Sequence, residues 1–126
     1  MIKKKGFYRL LKKFGYAANG IKLAITRHTS FVTHIIISFF AFFLSIYFNI
    51  NSIELMFVMS AVFLVLITEL LNTAIEESIN CYTKEFKRGF MISKDSAAGA
   101  VLLAAFYSII IGIIVFGPKF YILFFK

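Results

Sequence analysis

One cysteine, Cys81, is present in the whole chain, so no intrachain disulfide can form and cysteine usage does not report the redox compartment. An isolated thiol of this kind is ordinarily inert. Acid is missing where base is abundant. Lys3, Lys4, Lys5, Arg9, Lys12, Lys13, Lys22 and Arg27 all precede the first long apolar run, with no Asp or Glu among them. No GxxxxGK[ST] phosphate loop occurs, nor a glycine-rich kinase loop with its downstream signature, so any phosphoryl transfer needs another scaffold. The order of a secretory leader is also missing, because charge persists to Arg27 and no small-residue cleavage site follows a short apolar core. Cleavage is therefore not expected.

What the chain does have is apolar length. Of its 126 residues 60% are hydrophobic, and the mean hydropathy is +0.86. Soluble domains carry about 45–50% apolar residues. The composition implies one all-α integral membrane domain over residues 1–126. The net charge of +8 invites a nucleic-acid reading, but basic residues beside apolar spans contact anionic lipid headgroups and fix the cytoplasmic side. No nucleic-acid partner is expected.

Phe7, Leu10, Leu11, Phe14, Ala18, Ile21 and Ile25 recur at three- and four-residue steps, with Lys5, Arg9, Lys12, Lys13, Asn19 and Lys22 on the other face. This pattern predicts an amphipathic surface helix over about residues 5–27. Three spans follow, at about 31–50, 53–79 and 96–116. Each is long enough to cross roughly 30 Å of hydrocarbon at about 1.5 Å per residue. Asn49 to Ser52 is the first turn, a polar connector joins the second span to the third, and Gly117 and Pro118 are expected to stop the third. Lys84, Lys87, Arg88 and Lys94 make the connector basic, whereas the first turn has no Lys or Arg. The bias puts the N-terminus and the connector in the cytoplasm.

Glu69 lies about 24 Å along the second span from Ile53, inside the apolar slab near its cytoplasmic boundary. Glu69, Asn72, Thr73, Glu76 and Asn80 fall on one helix face. A polar stripe thus runs from within the bilayer to water. An ionisable group in a span marks either a functional site or a polar contact between helices, and a hydrogen-bonded oligomer interface is the plainer reading. Carboxylates beside the connector's cations suit a metal-bound polyphosphate meeting a hydroxyl held in lipid. Glu77, about 100° around the helix from Glu76, is expected to face the headgroups.

The stretch ELLNTAIE at Glu69 to Glu76, followed by KDSAAGAV at Lys94 to Val101, closely resembles the prokaryotic diacylglycerol kinase family, which includes the undecaprenol kinases. GFYRLLKKFGYAANGIKLA, Gly6 to Ala24, resembles its surface helix, so the likeness covers nearly the whole chain. The resemblance implies a bacterial inner-membrane homotrimer with composite sites, which uses Mg-ATP to phosphorylate a lipid alcohol. By position it makes Glu69 the general base, Glu76 a metal ligand and Asn72 a polar partner of base and phosphates. Lys94 and Asp95 match the nucleotide-binding pair, Arg9 and Tyr16 match nucleotide contacts on the surface helix, and Glu85 and Lys87 occupy the nucleotide loop. Arg9, Phe31, Glu69 and Ala98 are implied on the lipid side.

Three departures qualify the metal and nucleotide sites. Where the family has E-x-x-F, this chain reads HTSF, so His28 stands in place of a second acidic ligand that also faces the nucleotide. Mg²⁺ prefers hard oxygen ligands, whereas Mn²⁺ or Zn²⁺ accepts imidazole. His28 is either such a ligand or an interfacial histidine. Asn80 stands where an aspartate is common and Lys87 where histidine is frequent. The expected reaction is transfer of the ATP γ-phosphate to diacylglycerol, with undecaprenol as the alternative acceptor. A small proton-coupled transporter would show inverted repeats and polar groups nearer midplane, and neither is visible. A non-catalytic membrane scaffold is the third reading.

Overall fold

A computed structural model describes residues 2–82 and 87–125. They form four α-helices: α1 (Ile2–Arg27), α2 (Thr29–Tyr47), α3 (Ser52–Tyr82) and α4 (Arg88–Phe125). Three of these, α2, α3 and α4, are long and apolar enough to cross a membrane.

Arg27 closes α1, where a cation complements the partial negative charge of a helix C-terminus. His28 then leaves the helical region (φ −122°, ψ 106°), and α2 starts at Thr29. This single extended residue is the only step between α1 and α2.

The turn from α2 to α3 is built from two capping motifs. Asn49 adopts a left-handed backbone (φ 47°), which Asn tolerates better than most residues. Its N–H donates to Ile46 O (3.0 Å) and the Ile50 N–H to Ser45 O (3.2 Å), a Schellman arrangement that satisfies the last carbonyls of α2. Two residues later Asn51 Oδ1 accepts the N–H groups of Ile53 and Glu54, each at 2.9 Å, while Glu54 Oε2 accepts the Asn51 N–H at 3.0 Å. That reciprocal capping box starts α3.

The helices meet through small and branched side chains. Val58 and Ala61 of α3 pack with Ile111, Val115 and Phe116 of α4, and Ala41 and Leu44 of α2, with Phe48 just past its end, close over them. Ala61, Ala97 and Ala104 are buried, as expected where helix backbones approach closely. Outward, Phe39, Phe40, Phe43, Phe63, Leu103 and Ile113 are exposed. In water such continuous apolar faces drive aggregation, whereas in hydrocarbon they match the solvent.

Gly117 and Pro118 do not stop α4, which runs on to Phe125. Proline in a helix interior loses a backbone hydrogen bond and ordinarily costs about 3 kcal/mol. Contacts on the far side offset that cost here. Lys119 Nζ donates to Glu54 Oε1 at 2.7 Å, and the Phe120 ring meets Phe48 edge-on with centroids 4.9 Å apart. The polar connector is also shorter than expected, since α3 reaches Tyr82 and α4 begins at Arg88. The rings of Tyr82 and Phe90 touch across it, with centroids 5.7 Å apart.

Candidate active site

α3 carries the polar stripe, and burial is graded along it. Glu69 is 4% exposed and Thr73 is 8% exposed. Asn72 and Glu76 are half-buried, and Asn80 is exposed. A carboxylate as deeply buried as Glu69 needs a partner to offset its lost hydration. It has one in Ser30, whose Oγ donates to Glu69 Oε1 across the α2–α3 contact. Phe31, also 4% exposed, packs beside Ser30 at the start of α2. The break at His28 makes this contact, because it turns the first residues of α2 toward α3.

Asn72 Oδ1 is buried with no hydrogen-bond partner among the described residues. An orphaned acceptor of this kind calls for an explanation such as an ion or a water. Glu76 follows one helical turn later on the same face. At the outer end, Lys94 Nζ of α4 donates to Asn80 Oδ1 at 2.7 Å. Helix rise separates Asn80 from Glu69 by about 16 Å, so Lys94 stands at the opposite end of the stripe from the buried carboxylate.

His28 is not brought to Glu76. Its Nε2 lies 3.3 Å from Glu77 Oε1. Glu77, expected at the headgroups, thus faces the α1–α2 break, although it is still half-exposed. Arg27, His28, Thr73 and Glu77 line a cavity of about 520 Å³ between α1 and α3, together with Ile21, Leu23, Ala24, Leu70 and Ala74. Among the described residues no cluster of three or more His, Cys, Asp or Glu is arranged to hold a metal ion.

The remaining sequence-predicted residues are dispersed within the single chain. Arg9 and Tyr16 are exposed on α1, about 28 Å and about 18 Å of helix rise from His28. Asp95 and Ala98 are exposed on the first turns of α4. Lys87 immediately precedes α4, and Glu85 lies outside the described residues. Sequence reasoning missed Ser30 and the His28–Glu77 contact. The available signal was two polar residues, Thr29 and Ser30, at the mouth of an apolar span.

Three long apolar helices, one of them carrying a buried carboxylate on a polar face that leads outward, define an integral membrane protein with a candidate site at one end of its helical bundle. Comparison with known proteins gives its kind. Residues 15–116 match the family of prokaryotic diacylglycerol kinases. The chain is 29% identical over 105 residues to the diacylglycerol kinase of Escherichia coli, covering 83% of this chain and 86% of that protein. It is 30% identical over 105 residues to the diacylglycerol kinase of Helicobacter pylori, covering 83% and 82%. With the undecaprenol kinase of Bacillus subtilis it shares 32% over 111 residues, covering 88% and 90%. The chain belongs to the prokaryotic diacylglycerol kinase family, a family of lipid kinases.

Proposed function

We propose that this protein uses ATP to phosphorylate diacylglycerol, giving phosphatidic acid, with Glu69 as general base. The observation that carries the reading is the burial of Glu69 on a face that runs out to Lys94. A lipid hydroxyl reaches that depth from the membrane, while a nucleotide arrives from water. Glu69 takes the proton of the acceptor hydroxyl as its oxygen bonds to the γ-phosphorus. The bond from that phosphorus to the bridging oxygen breaks, and its electron pair leaves with ADP. The cavity between α1 and α3, whose largely apolar lining includes Leu70 next to Glu69, suits a lipid alcohol.

Family membership implies ATP as co-substrate and, usually, a divalent cation. The residues fit one: the unpaired Asn72 Oδ1 and the Glu76 carboxylate supply two hard oxygen donors on one face. A bound Mg²⁺ would neutralise phosphate charge there. His28, turned to Glu77, is the weaker candidate ligand. Lys94 and Asp95 receive the nucleotide at the water end, with Lys94 as a point charge for phosphate oxygens. Lys94→Ala is expected to raise the KM for ATP several-fold with little change in the KM for lipid, as initial-rate kinetics would show. Equal effects on both constants would remove Lys94 from the nucleotide site.

Arg9 and Tyr16 are exposed on α1, and neither contacts Glu69, whose one partner among the described residues is Ser30. A homotrimer in which a neighbour's α1 completes each site would supply them there and cover part of the exposed apolar surface. The basic residues of the N-terminal segment and the connector support a cytoplasmic position for both at a bacterial inner membrane, with α1 lying on its surface.

Undecaprenol is the second acceptor to consider, favoured by the coverage of the Bacillus subtilis relative, 88% of this chain and 90% of that protein. Purified protein in lipid, given labelled ATP and each alcohol in turn, decides between them. Label in phosphatidic acid is the expected result. Label only in undecaprenyl phosphate reassigns the acceptor, and label in neither overturns the kinase reading.

A further inference from the structure

Several of the described hydroxyls in the membrane helices turn back on their own backbone. Thr33 donates to Thr29 O, Ser38 to His34 O, Ser45 to Ala41 O, Thr68 to Leu64 O, and Ser78 to Ala74 O. That is the ordinary fate of Ser and Thr inside a helix. Ser30 departs from it and donates to Glu69 on another helix. Among the described residues it is the one donor that reaches this carboxylate.

We infer that Ser30 is a positioning residue for the phosphoryl-transfer reaction, holding Glu69 by one oxygen so that the other is aimed at the acceptor hydroxyl. The inference rests on the reading of Glu69 as general base. An ionised carboxylate offers acceptor sites on both oxygens. Ser30 engages Oε1, which leaves Oε2 for the incoming proton. A hydrogen bond to an ionised group is shorter and about twice as strong as a neutral one, so it restrains the Glu69 side chain more than packing alone. The architecture supports this role. Phe31 is buried next to Ser30, and the extended residue His28 sets where α2 begins, so the hydroxyl sits on a fixed element. Ser30 itself is exposed, so its truncation leaves no packing void.

Ser30→Ala is expected to lower kcat roughly ten- to a hundredfold, the scale of a misplaced reacting group, with the KM for ATP unchanged. Ser30→Thr, which keeps the hydroxyl, should restore most of the rate. In a Glu69→Gln background Ser30→Ala should cost nothing further, because there is no base left to position. Kinetics of the four variants beside the unaltered protein separate the two claims. If Glu69→Gln retains near-normal turnover, the general-base reading fails and this inference fails with it. If Glu69→Gln is impaired while Ser30→Ala is not, the positioning role alone is overturned. Equal losses in Ser30→Ala and Ser30→Thr also overturn it, since the hydroxyl is then not what matters.

Discussion

Glu69→Gln is expected to lower turnover by roughly two to four orders of magnitude, the usual worth of a general base. The substitution keeps the length and planarity of the side chain, and its amide oxygen still accepts the Ser30 hydroxyl, so the α2–α3 contact survives. What is lost is the ability to take a proton. A neutral amide is also less costly than a carboxylate to hold where 4% of the residue is exposed, so the folded chain should be at least as stable in detergent. ATP affinity should change little, because Glu69 lies about 16 Å of helix rise from the Lys94–Asn80 contact. Initial rates in mixed micelles, together with nucleotide binding on the same preparations, check each part. Near-normal turnover in the variant would falsify the assignment of the base. Lost ATP binding would place Glu69 among the nucleotide contacts instead.

The helical architecture was legible because hydropathy acts over whole segments. Three apolar stretches long enough to cross a bilayer are three long apolar helices. The position of Glu69 on the second of them follows from the same periodicity. Local punctuation was harder to read. The signal of Pro118 is strong on its own, but the helix continues because Lys119 and Phe120 find partners on α3 and α2, and no local rule sees those partners. Capping at Asn49 and Asn51 could be read as a turn, though not which carbonyls it would satisfy.

Within the candidate site, the stripe on α3 depends only on helical spacing, so its members could be named from the sequence. The groups that face it from α2 depend on how one residue, His28, breaks the chain. Turned as it is, His28 meets Glu77 and Ser30 meets Glu69. Glu76 and Glu77 differ by about 100° around α3, so which of them meets the imidazole depends on the direction the chain takes at that break. Such directions are set by tertiary packing, here by the burial of Ala24 and Phe31 on either side of the break. Sequence spacing does not encode them.

The same geometry decides what to expect of the metal. If the cation is held by Glu76 and Asn72 with the nucleotide phosphates, Glu76→Gln should raise the Mg²⁺ concentration for half-maximal rate steeply. Loss of even an outer hydrogen-bond partner costs a metal site roughly ten- to a hundredfold in affinity, and removal of a direct carboxylate ligand should cost no less. His28→Gln, by contrast, should leave the Mg²⁺ dependence within about twofold, because the imidazole is engaged with Glu77 at 3.3 Å and not with Glu76. Choice of metal supplies an independent reading. An all-oxygen donor set suits Mg²⁺, whereas an imidazole ligand would favour Mn²⁺ or Zn²⁺. The ratio of rates with Mn²⁺ and Mg²⁺ should therefore be the same in His28→Gln as in the unaltered protein. Asn72→Ala should weaken Mg²⁺ in the same direction as Glu76→Gln, and the two should couple in a double-mutant cycle, as ligands of one ion do. Titrations of these variants with both metals would decide. A rise in Mg²⁺ requirement for His28→Gln as large as that for Glu76→Gln, with a fall in the Mn²⁺ to Mg²⁺ ratio, would mean that the imidazole leaves Glu77 and joins the metal when the nucleotide binds.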